Sequence, residues 1–368
     1  MISHLTEPNV APQATRHALG GSTALICRDS VHHQLLDELS DYLRDQSVDV
    51  IRGPQAPRGG RVNIDPCELG VNLAQADLLV LTIRHHCGRD ALFSAPRLKG
   101  ICFPTAGVES LDIDVASELG ILVGHGATPE NWIGMAEATV LLVLGLLYNL
   151  HSAERVLRER LPLSQHKRAK QLSGKTVGLI GLGRIARAVA SRLQAFDAQL
   201  LAYSPRTKPE TVPSGVALTD LETLLRSSDV VLVMVSINPE SIGLLNWERL
   251  CLMKQSAYLV NTARGKVVDE AALVKVLREG RIAGAALDTF AVEPLPVDSP
   301  LRQLDNVILT PHLIGHTHEA ARSLKSALIN NALNILQNEP PVYCLNSEAV
   351  ERWHRRLTQT GAGKKRGQ

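Results

Sequence analysis

At 368 residues, with 45% hydrophobic and 21% charged side chains, the chain is long enough for two domains, each with its own core. A formal net charge of +2 gives no reason to expect nucleic acid or an acidic membrane surface as a partner. The 6 cysteines are scattered without C-x-x-C spacing, which argues against a zinc site or a disulfide framework and fits a reducing cytosol.

Residues 1–20 mix Pro, Gln, Thr and His without periodicity and read as a loose leader. They hold no basic segment running into an apolar stretch, so no signal peptide is expected. Order is predicted to begin with a strand over 23–27, followed by a helix to Tyr42 capped by Asp29 or Ser30, and a second strand over 48–51. A Pro-, Gly- and Arg-rich loop covers 53–61. Strands over 76–82, 98–103 and 121–124 then alternate with helical stretches, as in a small parallel-sheet domain. Adjacent His85, His86 and Cys87 point to alternate faces of an extended chain and lack a second ligand cluster, so no metal is expected there. Arg84 reads as a surface residue or as one facing a cleft.

A single long helix is predicted over 130–160, apolar in its first half and charged in its second. Its most apolar window, 138–148, is shorter than the roughly 20 residues of a membrane span and reads as a buried or interface helix.

The segment KTVGLIGLGRIARAVASRLQAFDAQLLAYSPRTK, 175–208, follows. An apolar strand runs to Ile180, Gly181-Leu182-Gly183 break it, and helical spacing of small residues begins at Arg184. With a second strand over 199–203 this is a βαβ unit carrying G-x-G-x-x-A, Ala186 being the third small residue. Gly181 allows a tight turn, Gly183 lets backbone approach a pyrophosphate, and the helix N-terminus around Arg184 and Ile185 offers unpaired N–H groups. The next strand ends on Ser204 rather than on the acid that takes the ribose hydroxyl of NAD. Arg206 and Lys208 follow, a guanidinium suited to a 2′-phosphate or simply a solvated loop. NADP is therefore the preferred cofactor, with NAD as the alternative.

Beyond it, Thr219 to Glu222 reads as a capping box and 229–235 as a buried strand. A strand over 257–262 leads to a helix with Asp269 as N-cap and Gly280 past its end. Strands over 284–288 and 306–310 and a helix over 318–337 complete the pattern, with Pro340-Pro341 as the stop. The Gly- and Lys-rich residues 358–368 read as disordered.

Three polar residues fall just past predicted strands: Arg264 in NTARG, Glu293 in DTFAVEP and His312 in TPH. Ligands of open α/β sheets sit at such strand ends. An arginine fork can hold a carboxylate and polarise a carbonyl, an imidazolium can give up a proton, and a carboxylate beside it can orient the ring. Each residue alone has a plain alternative: a phosphate-binding arginine, a solvated glutamate, a satisfied turn histidine.

From about Leu98 to Asn346 the chain resembles the D-isomer-specific 2-hydroxyacid dehydrogenase family, through GKTVGLIGLGRIARAVA, LVNTARGKVVDEAALVKVLREGRIAGAALDTFAVEPLP and NVILTPHLIGHT. The resemblance implies two doubly wound α/β domains. A Rossmann-type nucleotide domain, 151–317, is inserted into a flavodoxin-like substrate domain, 21–150 plus 318–346, with 347–368 as a tail. It implies a catalytic triad of Arg264, Glu293 and His312, a nicotinamide contact at Asp288, and cofactor-lining backbone at Thr262 and Ala263. Substrate-binding amides would lie at Gly107 and Val108 in AGVESLD, and Asn131 and Glu137 would sit at the domain junction. It further implies a homodimer and a small 2-oxo or 2-hydroxy acid as substrate. The chain departs from the family pattern at Met234 and Ser236, where His-x-Pro is common, and at His316, where a small residue is common; His316 would cap the last helix or narrow the cleft. Open alternatives are an NAD-dependent phosphoglycerate- or formate-type dehydrogenase and a non-catalytic, dinucleotide-sensing scaffold like the corepressors of this fold.

Overall fold

The computed structural model describes residues 19–163 and 168–359. The chain divides into two compact units, Met1–Thr128 with His318–Gln368, and Pro129–Thr317. Most of the expected leader, residues 1–18, lies outside the described residues.

The first unit contains β1 (Thr23–Arg28), β2 (Asp49–Gln55), β3 (Val62–Asn63), β4 (Leu78–Val80), β5 (His85–His86), β6 (Gly100–Cys102) and β7 (Leu122–Gly124). Five of these form a parallel sheet in the order β2-β1-β4-β6-β7, while β3 and β5 pair separately. With the short pair set aside, the order is 2-1-3-4-5, the flavodoxin-like winding. The expected cap at Asp29 is displaced by a turn. Its carboxylate accepts the N–H groups of Val31 and His32, ahead of a helix that begins at His33.

The second unit contains β8 (Thr176–Ile180), β9 (Gln199–Tyr203), β10 (Val216–Leu218), β11 (Val230–Val233), β12 (Tyr258–Asn261), β13 (Gly284–Leu287) and β14 (Val307–Leu309). All are parallel, in the order β10-β9-β8-β11-β12-β13-β14, the Rossmann winding with one further strand. The central strands are buried from end to end because helices cover both faces, which is why they read as continuous apolar runs and not as alternation. Asp269 caps its helix by accepting the Ala272 N–H at 3.0 Å, as expected. The cap of the helix Leu221–Ser227 is Asp220, whose carboxylate accepts the Thr223 N–H, and not Thr219.

Three expectations change. The long helix is two, Pro129–Leu147 and Leu150–Arg158, because Asn149 adopts a left-handed φ of 50° and ends the first. The first of these helices belongs with the second unit, so the boundary lies at 128/129 and not at 150/151. Its Val140, Val143 and Leu147 pack with Val189, Ala190 and Leu193 in one core cluster. At 19 residues it is long and apolar enough to cross a membrane by composition, but 56% of that stretch is buried inside the protein. Finally, the expected tail holds a helix, Val350–Gln359, that belongs to the first unit. Trp353 is fully buried and its indole N–H donates to the Lys99 carbonyl at 2.8 Å. The Arg356 guanidinium covers the carbonyls of Ala95, Leu98 and Leu119.

Candidate active site

The glycine turn has the geometry a dinucleotide needs. Gly181 closes β8 with φ of 100°, and a Cβ there would stand 2.8 Å from the Met234 carbonyl oxygen. A side chain at this position would therefore collide with the neighbouring strand end. Gly183 precedes the helix Arg184–Gln194, and a Cβ built on it meets nothing within 4 Å, so its backbone is open to a ligand. Ala186 is buried where helix and sheet meet. The N–H groups of the first helical turn have no intrahelical partner and suit a pyrophosphate. Arg184 lies over the Trp132 ring, 5.4 Å from its centroid, and Ile185 is half-buried beside it.

Past β12, β13 and β14 the three polar residues converge. The Asn261 side chain staples the arginine loop: its Oδ1 accepts the Ala263 N–H and its Nδ2 donates to the Arg264 carbonyl, both at 3.1 Å. The Thr262 hydroxyl lies 3.2 Å from that of Thr139. Gly265 is obligatory here, since a Cβ would fall 1.9 Å from the Phe290 carbonyl carbon. Its absence brings the arginine loop against the backbone that leads to Glu293. Glu293 Oε1 accepts the Phe290 N–H at 3.0 Å, and Oε2 lies 2.8 Å from His312 Nδ1. Burial alone would raise the Glu293 carboxyl. The hydrogen bond and charge of His312, the Phe290 N–H and the Arg264 charge outweigh it and hold the group below the usual glutamate value. Both side chains keep about a third of their surface, 34% for His312 and 32% for Glu293. His312 has φ of 58°, an uncommon conformation for a residue with a side chain.

Residues 140–313 match the family model described as the NAD binding domain of D-isomer specific 2-hydroxyacid dehydrogenase. A protein named glyoxylate reductase from Thermofilum pendens is 40% identical over 292 residues, covering 77% of this chain and 85% of that one. The chain belongs to the D-isomer-specific 2-hydroxyacid dehydrogenase family. It is thus an NAD(P)-dependent oxidoreductase acting on a CH–OH group. A D-3-phosphoglycerate dehydrogenase from Archaeoglobus fulgidus is 33% identical, covering 87% of this chain and 59% of that one. Among solved structures, an NAD-dependent formate dehydrogenase from Staphylococcus aureus in complex with NAD is 27% identical, with a TM-score of 0.72, covering 86% of this chain and 96% of that one.

Other positions qualify what the family resemblance implies. Asp288 is buried, and its Oδ1 accepts from Thr310 Oγ1 at 2.6 Å and from the Leu313 and Ile314 N–H groups. Ser204 Oγ lies 2.8 Å from Thr207 Oγ1, and the exposed Arg206 donates to Glu240 Oε2 at 2.7 Å. In the first unit, Gly107 and Val108 follow β6 and are half-buried. Their own N–H groups meet no acceptor among the described residues, as an anion-receiving loop requires. Glu137 pairs with Arg192 at 3.0 Å, within the second unit. His85 is fully buried between Thr82 and the Pro54 carbonyl, and His86 is exposed. No group of metal ligands occurs among the described residues. His316 is exposed, its N–H donating to the Leu313 carbonyl. Three residues escaped the sequence reading: Asn261, Thr310 and Glu240. The first two stand inside NTARG and TPH, where their neighbours drew the attention; Glu240, 34 residues from Arg206, carries no local signal.

Proposed function

We propose that this enzyme works mainly as a reductase of a small 2-oxo acid of the glyoxylate or hydroxypyruvate type, preferring NADPH. The observation that carries the reading is the 2.8 Å contact of His312 Nδ1 with Glu293, on the same strand-end rim as Arg264. With Nδ1–H directed at the carboxylate, Nε2 is the nitrogen left to serve substrate. Arg264 pairs with the substrate carboxylate and polarises its carbonyl. When bound, a reduced nicotinamide would supply the hydride. His312 gives its Nε2 proton to the carbonyl oxygen, and Glu293 steadies the imidazolium before transfer and the ring after it. Gly181, Gly183, Arg184 and Ile185 would hold the pyrophosphate, Thr262, Ala263 and Asp288 would line the nicotinamide end, and Ser204 with Arg206 would take the 2′-phosphate.

The Arg206–Glu240 pair favours a second reading, NAD use, because a carboxylate already occupies the guanidinium. Absorbance assays with NADPH and NADH against glyoxylate, hydroxypyruvate, pyruvate and phenylpyruvate decide between them. Faster turnover with NADPH supports the first reading, faster turnover with NADH the second, and none with either cofactor overturns both. A homodimer through the second unit accompanies the proposal. Leu141, Leu144, Tyr148, Leu150 and Phe196 line an open apolar cleft there, of which Leu141 and Leu150 are 56% and 60% exposed. A monomer by light scattering would remove that part.

A further inference from the structure

We propose that Thr310 is a positioning residue, which through one oxygen of Asp288 holds the turn that presents His312; the inference rests on the reading of His312 as proton donor. Asp288 is 1% exposed and follows β13 directly. Its Oδ1 accepts three hydrogen bonds, from Thr310 Oγ1 at 2.6 Å, Leu313 N at 3.2 Å and Ile314 N at 3.4 Å. Residues 310–314 are therefore wrapped around a single oxygen, and His312 stands at the middle of the wrap. Pro311 has no N–H to give, so before the histidine the Thr310 hydroxyl is the anchor and after it the two amides are.

The backbone needs such an anchor. His312 has φ of 58°, in the left-handed region that disfavours a side-chain-bearing residue, and it keeps that conformation only where neighbours over-determine it. Thr310 is itself tied to β13, since its N–H donates to the Leu287 carbonyl at 3.0 Å, so its hydroxyl has a fixed origin. The bond to Asp288 is charge-assisted and is the shortest of the three. Because Nδ1 of His312 reaches Glu293 only while the turn keeps its shape, a loosened Thr310 end misaims the ring without removing any group that touches substrate or cofactor.

Thr310→Val removes the hydroxyl at constant shape, and Thr310→Ser keeps it. Thr310→Val is expected to lose about tenfold in kcat, the scale of one charge-assisted hydrogen bond, while KM for the 2-oxo acid moves less than roughly twofold. NADPH binding, followed by tryptophan fluorescence, should stay at the wild-type level and report an intact fold. The low-field proton resonance of His312 Nδ1–H, identified by its absence in His312→Gln, should disappear in Thr310→Val and return in Thr310→Ser together with most of the rate. Persistence of that resonance in Thr310→Val overturns the proposal whatever the rate, as does a Thr310→Ser enzyme as impaired as Thr310→Val. Should Thr310→Val not fold, Thr310→Ala removes the hydroxyl without added bulk and carries the same expectations. Should the wild type turn over none of the 2-oxo acids, the proposed function fails while the resonance still decides this point.

Discussion

Both units end their parallel strands in a polar rim that holds histidines and carboxylates, yet the histidines His85 and His312 are built for opposite ends. In the first unit Asp29, just past β1, is fully buried and accepts the Val31 and His32 N–H groups and the His32 ring at 3.0 Å. His85, past β4, is fully buried with one ring nitrogen at Thr82 and the other at the Pro54 carbonyl. In the second unit His312 and Glu293 are each about one third exposed, and one imidazole nitrogen remains for a ligand. The same residue types thus serve as cement in one sheet and as reachable chemistry in the other. Access and one uncommitted atom separate the two, not residue identity.

The sharpest way to break this contrast is to remove the imidazole from each rim. His312→Gln should lower kcat by about a hundredfold to ten-thousandfold, the usual worth of a positioned proton donor, with little change in melting temperature. His85→Gln should do the reverse, lowering the melting temperature while kcat below the transition stays within roughly threefold. Steady-state rates and thermal melts on the two variants check both, and a catalytic defect in His85→Gln would dissolve the distinction.

A smaller effect is expected at Asp29. Burial by itself raises this carboxyl, but the hydrogen bond and charge of His32 and the Thr82 hydroxyl bring it well below the ordinary aspartate value. A lowered folded-state value contributes stability that is fully present above the unfolded-state value and is lost as pH falls through the folded one. Asp29→Asn should therefore cost about 1–3 kcal/mol at neutral pH. The difference from wild type should shrink as pH drops below about 4, where the unfolded aspartate begins to protonate. Urea titrations at several pH values measure it, and a pH-independent difference would show that charge plays no part.

The smallest effects concern the cofactor rim. Arg206→Ala should reduce the ratio of NADPH to NADH efficiency by about fivefold to tenfold, the loss of one guanidinium–phosphate contact at an exposed position. Glu240→Gln releases Arg206 and should raise that ratio by no more than about threefold, since an exposed ion pair is weak. If both variants leave the ratio unchanged, the loop after β9 does not select the cofactor.

Much of this molecule is legible along the chain, and for a uniform reason: features that repeat or punctuate locally leave a local trace. The buried strands of the second sheet, the glycine turn at Gly181 and Gly183, the Asp269 cap, and the strand-end positions of Arg264, Glu293 and His312 depend on spacings of a few residues, so periodicity and turn chemistry expose them. Tertiary packing decided the rest. Whether Pro129–Leu147 belongs to one unit or the other depends on Val189 and Leu193, some fifty residues away. The helix at 350–359 joins the fold because Trp353 and Arg356 find carbonyls at 95–119, more than two hundred residues upstream. Glu240 meets Arg206, and the Thr310 hydroxyl meets Asp288, across loops that no pattern links. Above all, the difference between His85 and His312 is one of burial and of which nitrogen is taken, and those exist only once the chain has closed around each ring.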